Sequence, residues 1–237
     1  LPERRPSGII KELRQIRQNG GFVLVDSGNY EATRREDKSW TPESFVKAME
    51  GVPHDWAYCF DVMKPSANKE RSIQQIVAAV NRDSLASKHI LPIVHAPKKK
   101  LSGYEVRDLP HVVREVAVRT SAPLIAVAER ELGSGLIERA KTVQRIRQEL
   151  NKLPDYQPLH ILGTGNPWSI SILTAAGADS FDGLEWCRMA VDRDTHRLNH
   201  YQHFDFFMFQ ASLADSTVTV SALNDEKVAY AGRVAFH

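Results

Sequence analysis

The chain has 237 residues, 42% of them hydrophobic, which is enough for one large domain with a full core and excludes a disordered or low-complexity chain. Lys and Arg number 31 against 29 Asp and Glu, a net charge of +2, which excludes a histone-like binder acting through bulk charge but leaves room for a local basic face. Two cysteines, Cys59 and Cys187, cannot by themselves make a disulfide framework or a cysteine zinc site.

In chain order, Ser7 is a possible N-cap for a helix carrying Ile9, Ile10, Leu13 and Ile16 on one face and ended by Gly20. Phe22–Val25 is continuously apolar and partly β-branched, as a buried parallel strand is. Thr41-Pro42-Glu43 starts a helix with Pro in the first position. Similar apolar runs follow at Trp56–Phe60, Ile90–Val94, Leu124–Val127, Leu159–Leu162 and, shorter, Asp179–Phe181. Between them lie two further helical stripes, Ile73, Ile76, Val77, Val80 and Leu136, Ala140, Val143, Ile146, Leu150. Strand–helix–strand alternation implies crossovers and a parallel α/β sheet, either doubly wound or a (β/α)₈ barrel. Polar residues or glycine follow these strands: Asp26, Asp61, His95, Glu129, Gly163 and Asp182. A barrel gathers all such positions at one mouth, so a TIM-type (β/α)₈ barrel, truncated or irregular, is the expected fold. The expected division is a barrel over residues 1–195 and a small C-terminal extension over 196–237. No internal repeat is visible. No apolar run reaches 18 residues and Leu1–Arg5 has no signal-peptide pattern, so a cytoplasmic protein with no membrane partner is expected. The missing initiator Met points to a fragment or trimmed chain.

Asp26 and Asp182 are the candidate acids. Two carboxylates facing one cavity are what retaining glycosyl transfer requires, one to attack the anomeric carbon and one to move protons. The alternative for Asp26 is a turn cap, at even weight, and Asp61 has the same ambiguity. Gly163-Thr164-Gly165-Asn166-Pro167 is neither a Walker loop nor a dinucleotide fingerprint, and reads as a tight turn. Lys98–Lys100 is a solvated face unless it lies beside a nucleic-acid mouth. The spacing of His196, His200 and His203 does not fit a zincin helix, so no metal is expected there. Cys187 reads as an inert buried thiol.

Five segments, in order, resemble motifs of the tRNA-guanine transglycosylase superfamily. Asp26-Ser27-Gly28-Asn29-Tyr30 resembles its Asp-Ser-Gly-Gly-Phe/Tyr motif, and Cys59-Phe60-Asp61 its base-recognition strand. Ile93-Val94-His95 stands where that family has Ile-Val-Gln, and Leu159–Pro167 is similar to its Leu-Gly-Val-Gly-x-Pro segment. Phe181-Asp182, with Arg188 six residues after the Asp, resembles its nucleophile motif. The resemblance implies a (β/α)₈ barrel with Asp182 as nucleophile on C1′ and Asp26 as general acid/base. It further implies that Tyr30 stacks on the exchanged base, Asp61 binds a guanine edge with His95, Glu129 and Arg188 nearby, Leu162 packs on the base's other face, and Gly163 lets the backbone approach.

Departures are Asn29 for the second glycine, His95 for glutamine, and Glu129-Arg130-Glu131 for a Gly-Gly turn. The family's Cys-x-Cys-x-x-Cys zinc set is missing, although His237 falls near the expected His. These changes look like the divergent branch that places 7-deazaguanines in DNA. The expected function is therefore exchange of guanine for a 7-deazaguanine, such as 7-cyano-7-deazaguanine, in DNA. No cofactor is needed, and a DNA-opening partner protein is expected. The alternatives are the same exchange on tRNA, a non-catalytic nucleic-acid-binding subunit, and an unrelated barrel enzyme acting on a phosphorylated small molecule.

Overall fold

A computed structural model describes residues 7–183, 189–192 and 197–200. The described residues up to Leu162, with Leu173–Ser180, form one compact unit; Gly163–Ile172 and the described residues from Phe181 onward form a second. The expected boundary at 195/196 lies outside the described residues.

The chain alternates as expected. Helix α1 (Ser7–Gln18) leads to β1 (Leu24–Val25), then α2 (Asn29–Arg34), α3 (Pro42–Met49) and β2 (Trp56–Tyr58). Helix α4 (Lys69–Arg82), β3 (Ile90–Leu91), β4 (Ile93–Val94), α5 (Leu109–Thr120) and β5 (Ile125–Ala128) follow. Next come a 3₁₀ turn (Glu129–Glu131), α6 (Gly135–Leu150), β6 (Leu159–Leu162), α7 (Pro167–Ala175) and β7 (Ser180–Phe181). Pro at the first turn and the Thr41 side chain, which accepts from the Ser44 N–H at 3.2 Å, start α3 as expected. Asn68 caps α4 in the same way, accepting from the Arg71 N–H at 3.0 Å.

Two sheets, β1–β3 and β4–β7, run in sequential strand order, and the pairs β1–β2, β2–β3, β4–β5 and β5–β6 are parallel. Pro92 divides what the sequence reads as one strand. It has no N–H, so Ile90–Leu91 completes the ladder with β2 while Ile93–Val94 turns to β5, and the Pro92 carbonyl accepts from the Ala126 N–H at 3.0 Å. No reversal of strand order occurs among the described pairings.

The core lies between sheet and helices. Phe45, Met49, Ala57, Cys59, Val80 and Ile90 form one cluster, and Tyr58, Leu91, Ile93, Leu124 and Ala126 another. Burying such side chains is worth about 1.5–3 kcal/mol each, which holds two-residue strands that have little ladder of their own. Helix α4 packs on α5 and α5 on α6, stitched by Arg119–Glu70 at 2.9 Å and Arg114–Glu149 at 3.1 Å. Contrary to the buried strand expected at Phe22–Val25, Leu24 and Phe22 are exposed; among the described residues β1 is the edge of its ladder and pairs with β2 alone. The apolar face of α1 is likewise open at Ile9 and Ile16. Among the described residues no helix is long and apolar enough to cross a membrane.

In the second unit, Met189–Asp192 (β8) and Arg197–His200 (β9) form an antiparallel pair.

Candidate active site

Within each parallel ladder the C-terminal ends of the paired strands lie at one edge. Asp26 follows β1 directly and is exposed. Gly28 then adopts φ 73°, a left-handed turn that a side chain would strain, and opens α2. The Trp40 indole N–H donates to the Ser27 carbonyl at 2.9 Å and holds this turn. Asn29, which stands where a second glycine was expected, is buried; its Nδ2 donates to the Asp61 carbonyl at 2.8 Å and to Asp61 Oδ1 at 3.0 Å. The substitution thus ties the β1 exit to the β2 exit.

The β2 exit is fixed from below by a pair that the sequence reading missed. Fully buried Asp83 accepts the Phe60 N–H at 2.6 Å, while Arg82 binds Asp83 at 2.7 Å and donates to the Phe60 carbonyl at 2.6 Å. Phe60 is held on both its backbone groups, and Asp61 is thereby placed.

His95 follows β4 and bridges two carboxylates. Its Nε2 donates to Asp61 Oδ2 at 2.5 Å and its Nδ1 to Glu131 Oε1 at 2.9 Å. Glu131 Oε2 in turn accepts the Ala96 N–H at 2.9 Å. The three side chains are only 4–6% exposed. A neutral imidazole carries one N–H and could not donate to both acids, so this geometry belongs to the imidazolium. Burial opposes that charge, but the hydrogen bonds that the ring donates to Asp61 and Glu131, with the charges of those groups, outweigh it and raise the His95 pKa from 6.5 to about 9. The trio is one cation between two anions. Glu131 was read only as part of a replaced turn; the usable signal was a second acid two residues beyond Glu129, which the 3₁₀ turn brings to the His95 side.

Other expected site residues are engaged differently. The Tyr30 ring lies under the Arg130 guanidinium at 4.5 Å, and Arg130 Nη1 donates to its hydroxyl at 2.8 Å. The face expected to stack on a base therefore carries a cation in this structure. Glu129 is buried against Arg139 at 2.8 Å. Leu162, the last residue of β6, packs partly buried against the Tyr58–Leu91 cluster. Burial inside the sheet pushes the Cys59 thiol well above its ordinary range, leaving an inert thiol.

In the second unit Gly163 takes φ 76°, as a tight turn requires, and its N–H donates to Asp182 Oδ1 at 2.6 Å. Asp182 follows β7 and is exposed. Gly183 has φ 153°, and a Cβ there would meet the backbone of Thr164 at 3.0 Å and of Gly163 and Gly165 at 3.1 Å. Only glycine lets the β7 exit run this close to the turn. Structure thus joins Asp61 with His95 and Gly163 with Asp182, each set within its own unit. Arg188, Trp186 and Cys187 lie outside the described residues, as do the side chains of His196, His200 and His203. Among the described residues no cluster has metal-holding geometry. With Cys59 buried and one other cysteine in the chain, these residues do not fit a three-cysteine zinc site.

No family model matches the chain. It is similar to two curated archaeal proteins. Over 172 residues it is 24% identical to the tRNA-guanine(15) transglycosylase of Methanopyrus kandleri, covering 70% of this chain and 36% of that protein. Over 202 residues it is 18% identical to the tRNA-guanine(15) transglycosylase of Methanothermobacter thermautotrophicus, covering 81% and 29%. The chain therefore spans about a third of the length of these relatives. The matches support a relationship to the tRNA-guanine transglycosylase superfamily.

Proposed function

We propose that this protein is a nucleic-acid guanine transglycosylase that exchanges guanine for a 7-deazaguanine through a glycosyl-Asp182 ester. The observation that carries the reading is Asp182 itself: an exposed carboxylate one residue past a strand, with Gly163 N–H holding one oxygen. That bond orients the carboxylate and supports its charge. In the first step an Asp182 oxygen attacks C1′, the glycosidic C–N bond breaks, and Asp26 gives a proton to the departing guanine. In the second step Asp26 takes the proton of the incoming base, whose nitrogen attacks C1′ and releases the Asp182 carboxylate. Protons and bonds balance with no cofactor. Asp61 and His95 would hold the base edge, with Tyr30, Glu129, Leu162, Gly163 and Arg188 around it. The sequential strand order, which a doubly wound sheet would reverse, supports a (β/α)₈ barrel continued by an extension from about residue 196.

The sequence departures favour DNA as substrate, with a partner that opens the duplex, since flipping a base costs a few kcal/mol. The relatives' names favour tRNA, which is the second reading. Labelled guanine offered to DNA and tRNA side by side tests both. Label entering one polymer selects it, and label entering neither defeats the proposal.

A further inference from the structure

We propose that the segments leaving β2 and β4 form a polynucleotide track, on which Lys64, Lys69 and Arg71 of the first and Lys98, Lys99 and Lys100 of the second hold the phosphate backbone. The inference rests on the proposed function for the identity of the polymer and goes beyond it in placing the backbone on this chain. The two segments leave the fold side by side, because His95 at the β4 exit is hydrogen-bonded to Asp61 at the β2 exit at 2.5 Å. They then flank one cleft, lined by Ser66 and Lys69 from the first and by Pro97 and Glu105 from the second.

Both segments are held in shape. Asn68 caps α4, and just before it the Ser66 N–H donates to Gln75 Oε1 at 3.0 Å. Beyond Pro97 the chain makes a small hairpin. Lys98 pairs with Tyr104 in an antiparallel bridge, the Lys99 N–H donates to the Gly103 carbonyl at 3.0 Å, and the Glu105 N–H donates to the Pro97 carbonyl at 2.7 Å. A polyanion that binds the three lysines therefore has side chains to order but little main chain.

All six cations are exposed. Glu70 is taken by Arg119 at 2.9 Å and Asp108 by Arg107 at 3.4 Å, and none of the six has an ion-pair partner among the described residues. Glu105 is the acid on the cleft that opposes them. In a chain of net charge +2 this is a local excess, and it lies at strand exits, where parallel α/β folds place their ligands. Phosphate is the matching partner: each lysine offers a point charge and releases a counterion from the polymer. An anionic membrane would attract the same lysines. Leu101 at the hairpin tip is the one large apolar side chain fully exposed beside them, too little to anchor a bilayer contact.

The test uses the full chain with two probes, a mixed-sequence single-stranded DNA of about 20 nucleotides and a tRNA transcript, over about 50–300 mM salt. Replacing Lys98, Lys99 and Lys100 together by Gln should weaken binding of the preferred probe at least tenfold at low salt. It should also reduce the slope of log affinity against log salt by about 2 or more. The same three positions changed to Arg should keep both within twofold of wild type. A charge-matched control on helix surfaces, Lys11→Gln with Arg14→Gln and Lys141→Gln, should change the slope by less than about 1. Acetylation footprinting of the wild type needs no variant: bound polynucleotide should protect Lys64, Lys69 and Lys98–Lys100 and leave Lys11 and Lys141 reactive. A Gln triple variant with the wild-type slope, or lysines equally reactive with and without polymer, overturns the track and leaves the proposed function standing. Protection of these lysines by phosphatidylserine vesicles but by neither polynucleotide also overturns it, making the surface a membrane contact. Binding and protection as expected in a protein that exchanges no guanine uphold the track and defeat the proposed function.

Discussion

At the residue scale, Asp182 and His95 carry the sharpest expectations. An amide is a poor nucleophile and cannot offset an oxocarbenium-like centre, so Asp182→Asn should lower base exchange by at least about 10³-fold while nucleic-acid binding persists on phosphate contacts. Wild-type protein stopped in mid-reaction should yield one peptide with the sugar attached, the one containing Asp182; a sugar on any other peptide removes it as nucleophile. His95 links folding to pH. Its folded pKa lies above its unfolded one, so its stabilisation is complete below pH 6.5 and is lost as pH rises through about 9. Urea midpoints for wild type should fall between pH 6.5 and 9.5, and His95→Gln should flatten that slope. Residue identities at the strand exits were legible because each chemical side chain follows an apolar run. Their partners were not. Nothing in the spacing of Asn29, Asp61, His95 and Glu131 announces contact, since these residues meet only when separate strands come into register.

At the element scale, two exits depend on side chains or glycines that have no obvious mark in sequence. Asp83 ends α4 and reads as an ordinary surface acid, yet it is fully buried and serves the Phe60 N–H. Asp83→Ala would strand that N–H and the Arg82 charge, and should cost about 2–4 kcal/mol of stability in chemical denaturation. A loss below about 0.5 kcal/mol would show the clamp to be dispensable. Gly183→Ala adds a Cβ at 3.0–3.1 Å from backbone and at φ 153°. The expected cost is about 1–3 kcal/mol, with exchange activity falling further than stability because Asp182 is displaced. Helices α3 and α4 were readable from caps and apolar spacing. Helix α5 is not among the stripes read from the sequence, although Val112, Val113, Val116 and Ala117 are buried at helical spacing and Leu109-Pro110 forms its first turn.

At the scale of the whole molecule, parallel α/β architecture was legible from alternation alone, whereas closure into a barrel depends on pairings that short strands do not advertise. The expected substrate preference also belongs here. In side-by-side assays labelled guanine should enter DNA, and entry into tRNA alone would move the protein to its relatives' chemistry. One earlier detail has a mechanical corollary. The run Ile90–Val94 belongs to two ladders joined at Pro92, a residue with no amide proton to exchange. Opening of the β1–β3 ladder therefore need not break a single bond of the β4–β6 ladder, and the reverse holds too. Native-state hydrogen exchange should resolve two protection classes that change over between Leu91 and Ile93, so that the two ladders breathe separately even though Leu91 and Ile93 sit in one core cluster.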